Sequence, residues 1–389
     1  MQNAKILVVD DEPDLQDLIR QKFRNKIKSK EYEFQFAMNG AEAMDKIIND
    51  GTIDLILTDI NMPVMDGLTL LSKINQLDNK ILRSVIVSAY GDMENIRTAM
   101  NRGAYDFVTK PIDLKDLEIT IEKSLREIEQ YKIASMAHDK LVALKQELDI
   151  ATIIQMSILP KTFPAFPDRK DFEIYAKMIP AKEVGGDLYD FFLIDKYRLG
   201  VIIGDVSGKG IAAALLMAVC KTLLKATAFK GMSTDNVLAE VNNILVDDSP
   251  PNMFVTVFYG ILDTRNGSFE YSNAGHNSPY LISSDGSLKK LDNIGGLMIG
   301  AMKDAEYQSN IIMLKKDETL ILYTDGVTEA FNKHDEEYDE KRLTASLQDI
   351  GGLSTEKLVD KIISGVRTFT SGVEQSDDIT CMAVKYLGR

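Results

Sequence analysis

Polar residues able to carry out phosphoryl chemistry follow short apolar runs in the first third of the chain. Asp10 and Asp11 follow KILVV, Asp59 follows LILT, Ser88 follows VIV, and Lys110 follows FVT. Three carboxylates in one crevice would repel one another and raise their own pKa values unless a cation such as Mg²⁺ neutralised them. With the ion bound, one carboxylate can attack a phosphoryl donor, and Lys110 and Ser88 can bind the arriving oxygens. Asp59 is the best candidate nucleophile because it directly follows a predicted strand.

A second set of aspartates follows apolar runs in the C-terminal half of the chain. Four acids that converge from distant strand ends can hold two divalent ions, and such a pair activates water and binds a phosphoryl oxygen. The set consists of Asp187 in GGDLYDF, Asp205 in IIGDVSGKG, Asp325 in LYTDGVTEA, and Asp377 and Asp378 in SDDIT.

Two short motifs in the same half suggest other chemistries, and both fail. A phosphate loop requires G-x-x-x-x-G-K-[ST], but in GDVSGKG the spacing before Lys209 is one residue short and Gly210 replaces the hydroxyl residue. GGDLY at 185–189 has some likeness to the GGDEF signature of diguanylate cyclases, but Leu188 replaces an acidic residue. Lys209 is therefore expected to be a solvated or helix-start lysine, with a substrate-phosphate contact as the alternative.

The composition limits the possible partners. An apolar fraction of 45% excludes a disordered chain, and a formal net charge of −14 disfavours nucleic acid and anionic membranes as partners. The two cysteines, Cys220 and Cys381, lie in apolar stretches without metal-like spacing, which indicates buried free thiols. No apolar stretch is expected to reach the roughly 18 residues of a membrane span. We therefore expect a cytoplasmic protein.

The first acidic set is positioned by alternating strands and helices. From Lys5 to Lys123 short apolar runs alternate with amphipathic stretches, which is typical of a doubly wound parallel sheet covered on both faces. In this α/β architecture the ligand site lies beyond the carboxyl ends of the strands, where the first acidic set is located.

A long helical connector is expected after this domain. Apolar residues at a spacing of three or four continue through residues 112–159, and neither proline nor glycine interrupts them. The apolar pattern changes phase around residues 135–140. We interpret residues 124–159 as a coiled-coil-like linker that forms a dimer stalk; the alternative is a helix packed on one of its own domains.

The second acidic set lies among strand-like runs that begin near Phe172. Two helical stretches, 211–230 and 233–248, follow GDVSGKG, and another helical region is expected near 340–370. Antiparallel strands with grouped helices predict an α+β domain over residues 160–389, with two layered sheets and helices outside them.

The motifs VVDDE, LTDINMPVMDG, VSAYG and FVTKP, in this order and spacing, resemble a CheY-type response-regulator receiver domain over residues 1–123. The resemblance implies a flavodoxin-like sheet and a sensor histidine kinase as partner. It implies that Asp59 is the phosphoacceptor, that Asp10 and Asp11 with Asp59 bind Mg²⁺, that the carbonyl of Asn61 is a further ligand, and that Lys110 contacts the phosphoryl group.

The same resemblance assigns three further positions. Ser88 takes the place of the switch hydroxyl, Phe107 that of the rotating aromatic, and Pro111 follows a cis peptide bond. The alternative is that paired acids cap helices and the lysine lies on a solvated turn, which explains single residues but not the whole set.

The C-terminal half, from about residue 145, resembles the metal-dependent, phosphatase 2C-like protein phosphatases, and within them the bacterial SpoIIE/RsbU group. The aspartate set, with ELDIATIIQMSILP, NMFVTVFYG, SNAGHNSP and IGGLMIG, carries this resemblance. It implies two Mn²⁺ or Mg²⁺ ions. Asp187 and Asp205 with the carbonyl of Val206 would bind one ion, and Asp205, Asp325 and Asp377 the other.

Some assignments stay open at this level. Asp378 is the alternative to its neighbour Asp377 as a ligand, and His276 is either a general acid or a structural residue. The phosphate-binding arginine of the eukaryotic phosphatases has no obvious counterpart, so substrate affinity should depend on the metals and on protein contacts.

Together the two resemblances imply a two-component response regulator. Phosphorylation of Asp59 would control hydrolysis of phosphoserine or phosphothreonine on a partner protein, without a covalent phosphoenzyme. The implied substrate is a STAS-type anti-sigma-factor antagonist. The alternative function is an adaptor whose phosphatase-like domain only binds a partner.

Overall fold

The computed structural model describes residues 3–77, 79, 81–89, 92–248, 252–348 and 352–388. The chain divides into two compact units, Met1–Leu144 and Lys145–Arg389. The three-part division at residues 123/124 and 159/160 stays a prediction.

The first unit is a parallel five-stranded sheet flanked by helices, which confirms the predicted doubly wound fold. Its strands have the order β2-β1-β3-β4-β5. The central strands β1 and β3 are almost entirely buried because helices cover both faces of the sheet, so they are mainly apolar. The elements are β1 Ala4–Val9, α1 Pro13–Lys22, α2 Arg24–Lys28, β2 Tyr32–Ala37, α3 Gly40–Asn49, β3 Leu55–Asp59, α4 Gly67–Gln76, β4 Arg83–Ala89, α5 Met93–Asn101 and β5 Asp106–Lys110.

One helix, α6, spans Leu114–Ile158, as the absence of proline and glycine predicts. Its first turns bury Leu117, Ile121 and Ile128 in the core of the first unit. Residues 133–147 are exposed, and Gln155 near its end is buried in the second unit. The shift of the apolar pattern therefore coincides with the end of packing on the first unit.

The second unit is a sandwich of two five-stranded sheets with helices outside, as predicted. The strand orders are β13-β10-β9-β8-β7 and β12-β11-β14-β15-β6, and Phe258, Phe269, Leu320 and Met382 lie in the core that both sheets share. The strands are β6 Phe172–Ile179, β7 Leu188–Leu193, β8 Arg198–Val206, β9 Val255–Asp263, β10 Ser268–Ala274, β11 Tyr280–Ile282, β12 Leu288–Lys290, β13 Asn310–Met313, β14 Thr319–Tyr323 and β15 Ile379–Tyr386.

Helices cover both outer faces of this sandwich. Residues of α7 Ile211–Ala228 and α8 Thr234–Asp248 share a core with the first sheet. Residues of α10 Asp339–Ser346 and α11 Thr355–Phe369 share a core with the second. The short helix α9, Asp325–Thr328, follows β14 directly.

The expectation that no apolar stretch reaches the length of a membrane span was wrong for α7. Its 18 residues have a mean hydropathy of 1.7, which is enough to cross a membrane by length and composition, and half of that stretch is buried inside the protein. One side of the helix packs in the core through residues such as Met217 and Leu224, while Ile211, Leu215 and Val219 are exposed. Cys220 and Cys381 are buried free thiols, as predicted.

Candidate functional site

The acidic cluster of the first unit lies at the carboxyl ends of two neighbouring parallel strands. Asp10 and Asp11 follow β1 and Asp59 ends β3, which pairs directly with β1. One carboxylate oxygen from each residue lies within 4.8 Å of the others. Such a set of converging oxygens fits a hard divalent cation.

Lys110, at the end of β5, neutralises part of this charge. Its Nζ lies 2.9 Å from Asp10 Oδ2 and 2.7 Å from Asp59 Oδ2. Burial alone would lower the pKa of Lys110, but the hydrogen bonds to Asp59 and Asp10 raise it above its ordinary value. Burial raises the pKa of Asp10, against the opposing effects of the Glu12 amide and Lys110. The lysine therefore stays charged beside the nucleophile candidate.

The other predicted residues of this unit lie around the same edge. Ser88 near the end of β4 is fully buried, and its hydroxyl has no hydrogen-bond partner among the described residues. The Asn61 amide donates to Asp59 Oδ1 at 3.3 Å. Phe107 on β5 is partly exposed, and the Lys110–Pro111 peptide bond is cis, as predicted. A hydroxyl whose hydrogen is not engaged by another described residue can donate to an arriving phosphoryl oxygen.

The acidic cluster of the second unit is assembled from both sheets of the sandwich. Asp187 precedes β7 and Asp205 lies in β8 of one sheet, while Asp325 follows β14 and Asp377 precedes β15 of the other. The carbonyl oxygen of Val206 faces Gly186, where a Cβ atom would lie 3.0 Å from it. Residues far apart in the chain thus meet at one end of the sandwich.

The electrostatics of this cluster show strong mutual repulsion. Burial, followed by the charges of Asp205 and Asp378, raises the pKa of Asp187 well above its ordinary value. Burial, Asp325 and Asp377 raise the pKa of Asp205 to about 7. Burial and Asp377 also raise the pKa of Asp325. Carboxylates that disfavour one another's charge to this extent fit a site for divalent cations.

The structure gives the two adjacent aspartates, Asp377 and Asp378, different hydrogen-bond and ion-pair partners. Asp378 Oδ1 accepts from the Ala181 amide at 2.7 Å, and its Oδ2 accepts from the Gly186 amide at 2.6 Å. Asp377 is partly exposed and raises the pKa values of Asp205 and Asp325. Asp378 therefore holds the loop backbone through both of its oxygens, and its charge also raises the pKa values of Asp187 and Asp205.

Two family models match the chain, one in each half. The response regulator receiver domain matches residues 6–122, and Stage II sporulation protein E (SpoIIE) matches residues 195–387. Sporulation initiation phosphotransferase F of Bacillus subtilis is 34% identical over 126 residues, which are 32% of this chain and 96% of that protein. The chain is a receiver domain fused to a SpoIIE-type phosphatase domain.

Other relatives match the phosphatase domain. Phosphoserine phosphatase RsbU of Bacillus subtilis is 31% identical over 204 residues, which are 51% of this chain and 59% of that protein. The chain spans about half the length of the curated relatives that it matches in this region. The SiaA-PP2C domain of Pseudomonas aeruginosa, 20% identical, shares the fold with a TM-score of 0.56 over 64% of this chain and 98% of that one.

Lys209 of the phosphatase domain is not a free surface lysine. Its Nζ lies 2.9 Å from Asp377 Oδ2 and donates to the Ser376 carbonyl at 2.5 Å. Lys209 is exposed and lies just before α7, and its ion pair ties the GDVSGKG loop to the loop before β15.

Two glycines keep the phosphatase loops close together. A Cβ on Gly326 would lie 1.9 Å from the carbonyl oxygen of Asp378, so no larger residue fits after Asp325. Gly210, with φ +81°, makes the turn from the GDVSGKG loop into α7. The SpoIIE-type loops therefore depend on glycine for the approach of their backbones.

His276 of the phosphatase domain is a buried structural residue. Its Nδ1 lies 2.9 Å from the Thr256 hydroxyl, and its amide donates to Asn273 Oδ1 at 2.7 Å. Burial lowers its pKa to about 4. A neutral imidazole in this position cannot donate a proton at neutral pH as a charged acid, which favours the structural interpretation.

The sequence analysis missed three polar residues around the phosphatase cluster. Thr324 and Thr380 contact Asp187, and Gln155 of α6 contacts Gly185. Gln155 Nε2 donates to the Gly185 carbonyl at 2.5 Å, and the Gly185 amide donates to Gln155 Oε1 at 3.0 Å. The sequence signal for Gln155 was a polar residue within the largely apolar segment ELDIATIIQMSILP. The signal for Thr324 and Thr380 was their position close to Asp325 and Asp378.

Proposed function

We propose that this chain is a response regulator whose output is metal-dependent dephosphorylation of phosphoserine or phosphothreonine on a partner protein. The observation that carries the proposal is the convergence of four aspartates from both sheets, in a chain that also has the acidic cluster and lysine of a receiver. An adaptor function would not require a complete set of acidic ligands.

In the receiver, Asp59 is proposed to attack a phosphoryl group supplied by a sensor histidine kinase. Asp10, Asp11, Asp59 and the carbonyl of Asn61 would hold Mg²⁺, whose charge would neutralise the phosphoryl oxygens. Lys110, already beside Asp59, would bind one oxygen of the transferred group. The Ser88 hydroxyl, which has no hydrogen-bond partner in the described part of the chain, would bind another.

In the phosphatase domain, Asp187, Asp205, Asp325, Asp377 and the carbonyl of Val206 are proposed to hold two Mn²⁺ or Mg²⁺ ions. When bound, the ions would supply activation of water and charge neutralisation at the phosphoryl group. The protein's own part is to hold mutually repelling carboxylates in place. Threonine hydroxyls hold Asp187, and Lys209 holds Asp377. No serine or cysteine nucleophile is needed for this reaction.

Control of the output is proposed to pass through α6. The helix begins on the receiver, and near its end Gln155 binds the backbone of Gly185, two residues before Asp187. A rotation or shift of α6 would therefore act directly on a metal ligand. The exposed apolar residues between 133 and 147 support a homodimer formed through this helix.

The substrate and location follow from the family resemblance and the charge. We propose a phosphorylated STAS-type anti-sigma-factor antagonist as substrate, with sigma-factor release as the consequence, in the cytoplasm. A relative that matches this domain, RsbU, is named a phosphoserine phosphatase. The net charge of −14 supports a protein partner rather than nucleic acid or membrane.

The test is hydrolysis of p-nitrophenyl phosphate and of a phosphoserine STAS protein by the full chain with added Mn²⁺. Wild type should hydrolyse both substrates, and EDTA or the substitution Asp325→Asn should abolish both rates. Lys230→Met, in an exposed ion pair with Glu240, is the control and should keep the wild-type rate. Binding of the STAS protein without hydrolysis would instead support the adaptor.

A further inference from the structure

Two threonine hydroxyls converge on one oxygen of Asp187. Thr324 Oγ1 donates to Asp187 Oδ2 at 2.8 Å, and Thr380 Oγ1 donates to the same oxygen at 2.5 Å. Both threonines are 0% exposed, and Asp187 is 1% exposed. Water therefore cannot take the place of either hydroxyl.

The direction of the Thr324 hydrogen bond is fixed by its neighbours. The Thr380 amide donates to Thr324 Oγ1 at 3.1 Å, so this oxygen already acts as an acceptor. The other acceptor in reach of its hydrogen is the Asp378 carbonyl, at the longer distance of 3.5 Å. Asp187 Oδ2, at 2.8 Å, is therefore the nearer acceptor for the Thr324 hydroxyl.

Thr324, Thr380 and Asp187, which we call the clamp, join the two sheets of the sandwich. Thr324 follows β14 and Thr380 lies in β15, whereas Asp187 precedes β7 in the opposite sheet. Thr324 is also the residue directly before Asp325, and Thr380 lies two residues after Asp378. The hydroxyls thus fix the position of one acid relative to the segments that carry the others.

Both threonine bonds end on Oδ2, so neither hydroxyl engages Oδ1 of Asp187. Residues that orient a metal ligand through hydrogen bonds set the affinity of the site, because an unoriented carboxylate must be ordered when the metal binds. Each hydroxyl also stabilises the negative charge that the ligand needs.

We propose that Thr324 and Thr380 are positioning residues that orient Asp187 and thereby set the divalent-metal affinity of the phosphatase site. This inference rests on the proposed function in one respect, namely that Asp187 is a metal ligand. It goes beyond that function because it assigns control of metal affinity to two residues that lie outside the proposed set of metal ligands.

The test is Mn²⁺ binding to the full chain, measured by isothermal titration calorimetry. Every protein carries Asp11→Asn, which removes one acid of the receiver cluster and reduces its contribution to the signal. Thr380→Val and Thr324→Val, which keep the shape and lose the hydroxyl, should each raise the Kd for Mn²⁺ by about 10-fold or more. Thr380→Ser and Thr324→Ser, which keep the hydroxyl, should stay close to the parent protein.

A matched control separates this role from a general loss of stability. Thr264 is also fully buried, and its hydroxyl donates to the Tyr197 carbonyl at 3.0 Å. It follows the end of β9, whereas the start of β9 lies near the site, where the Thr256 hydroxyl contacts the Asp205 carbonyl. Thr264→Val should lower the melting temperature measured in EDTA and leave the Kd for Mn²⁺ unchanged.

The outcomes distinguish the two proposals. Valine variants that remain folded and bind Mn²⁺ with the parent Kd would overturn the clamp, as would serine variants that fail to restore binding. A parent protein that binds Mn²⁺ but hydrolyses no phosphomonoester would refute the proposed function and leave the clamp supported by its binding data.

Discussion

Gln155 and Gly185 are joined by a reciprocal pair of hydrogen bonds: the side-chain amide donates to the Gly185 carbonyl at 2.5 Å and accepts from the Gly185 amide at 3.0 Å. Gln155 belongs to α6, and Gly185 lies two residues before Asp187. The end of α6 is therefore bonded to the backbone next to Asp187, a proposed metal ligand.

Gln155→Leu should lower metal-dependent hydrolysis about 10- to 100-fold, because the Gly185 loop loses both bonds and a displaced ligand is costly. Gln155→Glu should be similarly impaired, because a carboxylate cannot donate to the Gly185 carbonyl. Ser157→Ala, an exposed position on the same helix, serves as the control. Initial rates at several Mn²⁺ concentrations measure the effect, and an unimpaired Gln155→Leu would show that this contact has no part in the site.

Asp377 and Asp378 should differ in what their loss affects. Asp378→Asn should destabilise the domain by about 1–3 kcal/mol, because it weakens bonds to the buried amides of Ala181 and Gly186. Asp377→Asn should leave stability nearly unchanged and raise the Mn²⁺ concentration needed for half-maximal activity. Denaturant unfolding in EDTA and metal titrations give the two readouts. The reverse pattern would make Asp378 the ligand.

His276 should make the protein less stable in acid. Its pKa is lowered from 6.5 to about 4 by burial, so the folded protein keeps the ring neutral where the unfolded chain binds a proton. The pKa difference therefore contributes on the order of 3 kcal/mol to the free energy of unfolding. This contribution is complete above pH 6.5 and is lost as the pH falls towards 4.

Calorimetric melting of wild type and His276→Gln from pH 7.5 to 4.5 measures this contribution. The stability gap between the two proteins should narrow as the pH falls, whereas His334→Gln, at an exposed position, should follow wild type at every pH. A gap that stays constant would mean that the folded state protonates His276 as readily as the unfolded chain.

The exposed apolar residues of α6 should mediate dimerisation. Ile133, Met136, Leu141 and Leu144 are exposed in the single chain and would be buried in a two-helix stalk. The double substitution Leu141→Glu and Leu144→Glu should convert a dimer to a monomer in light scattering coupled to size-exclusion chromatography. Lys140→Glu with Lys145→Glu is the control for charge. A monomeric wild-type chain would contradict the stalk.

The receiver and its acidic cluster could be predicted because each site residue lies at the end of a strand that is recognisable in the sequence. β1, β3 and β5 each lead directly to a functional residue at the carboxyl edge of the sheet, so Asp10, Asp59 and Lys110 meet once the strands pair. The helix from Leu114 to Ile158 was predictable for a similar reason, since no residue in it breaks a helix.

The supporting contacts of the phosphatase site were not predictable in this way. Thr380 and Asp187 are separated by 193 residues and meet only when the two sheets pack. Asp377 and Asp378 are identical in type and adjacent, and only the fold shows which carboxylate holds the amides. The apolar character of α7 was underestimated because Lys221 and Lys225 lie in it, although both pair with Asp190.

The central claim is that the receiver controls the phosphatase, and the most direct test is the rate of Mn²⁺-dependent p-nitrophenyl phosphate hydrolysis with and without beryllofluoride, a mimic of phosphoaspartate. We expect beryllofluoride to change the rate of the wild-type chain and to leave Asp59→Asn at its basal rate, while Asp325→Asn is inactive in both conditions. A wild-type rate that does not respond to beryllofluoride, or an Asp59→Asn chain without basal activity, would contradict the separation of input from output.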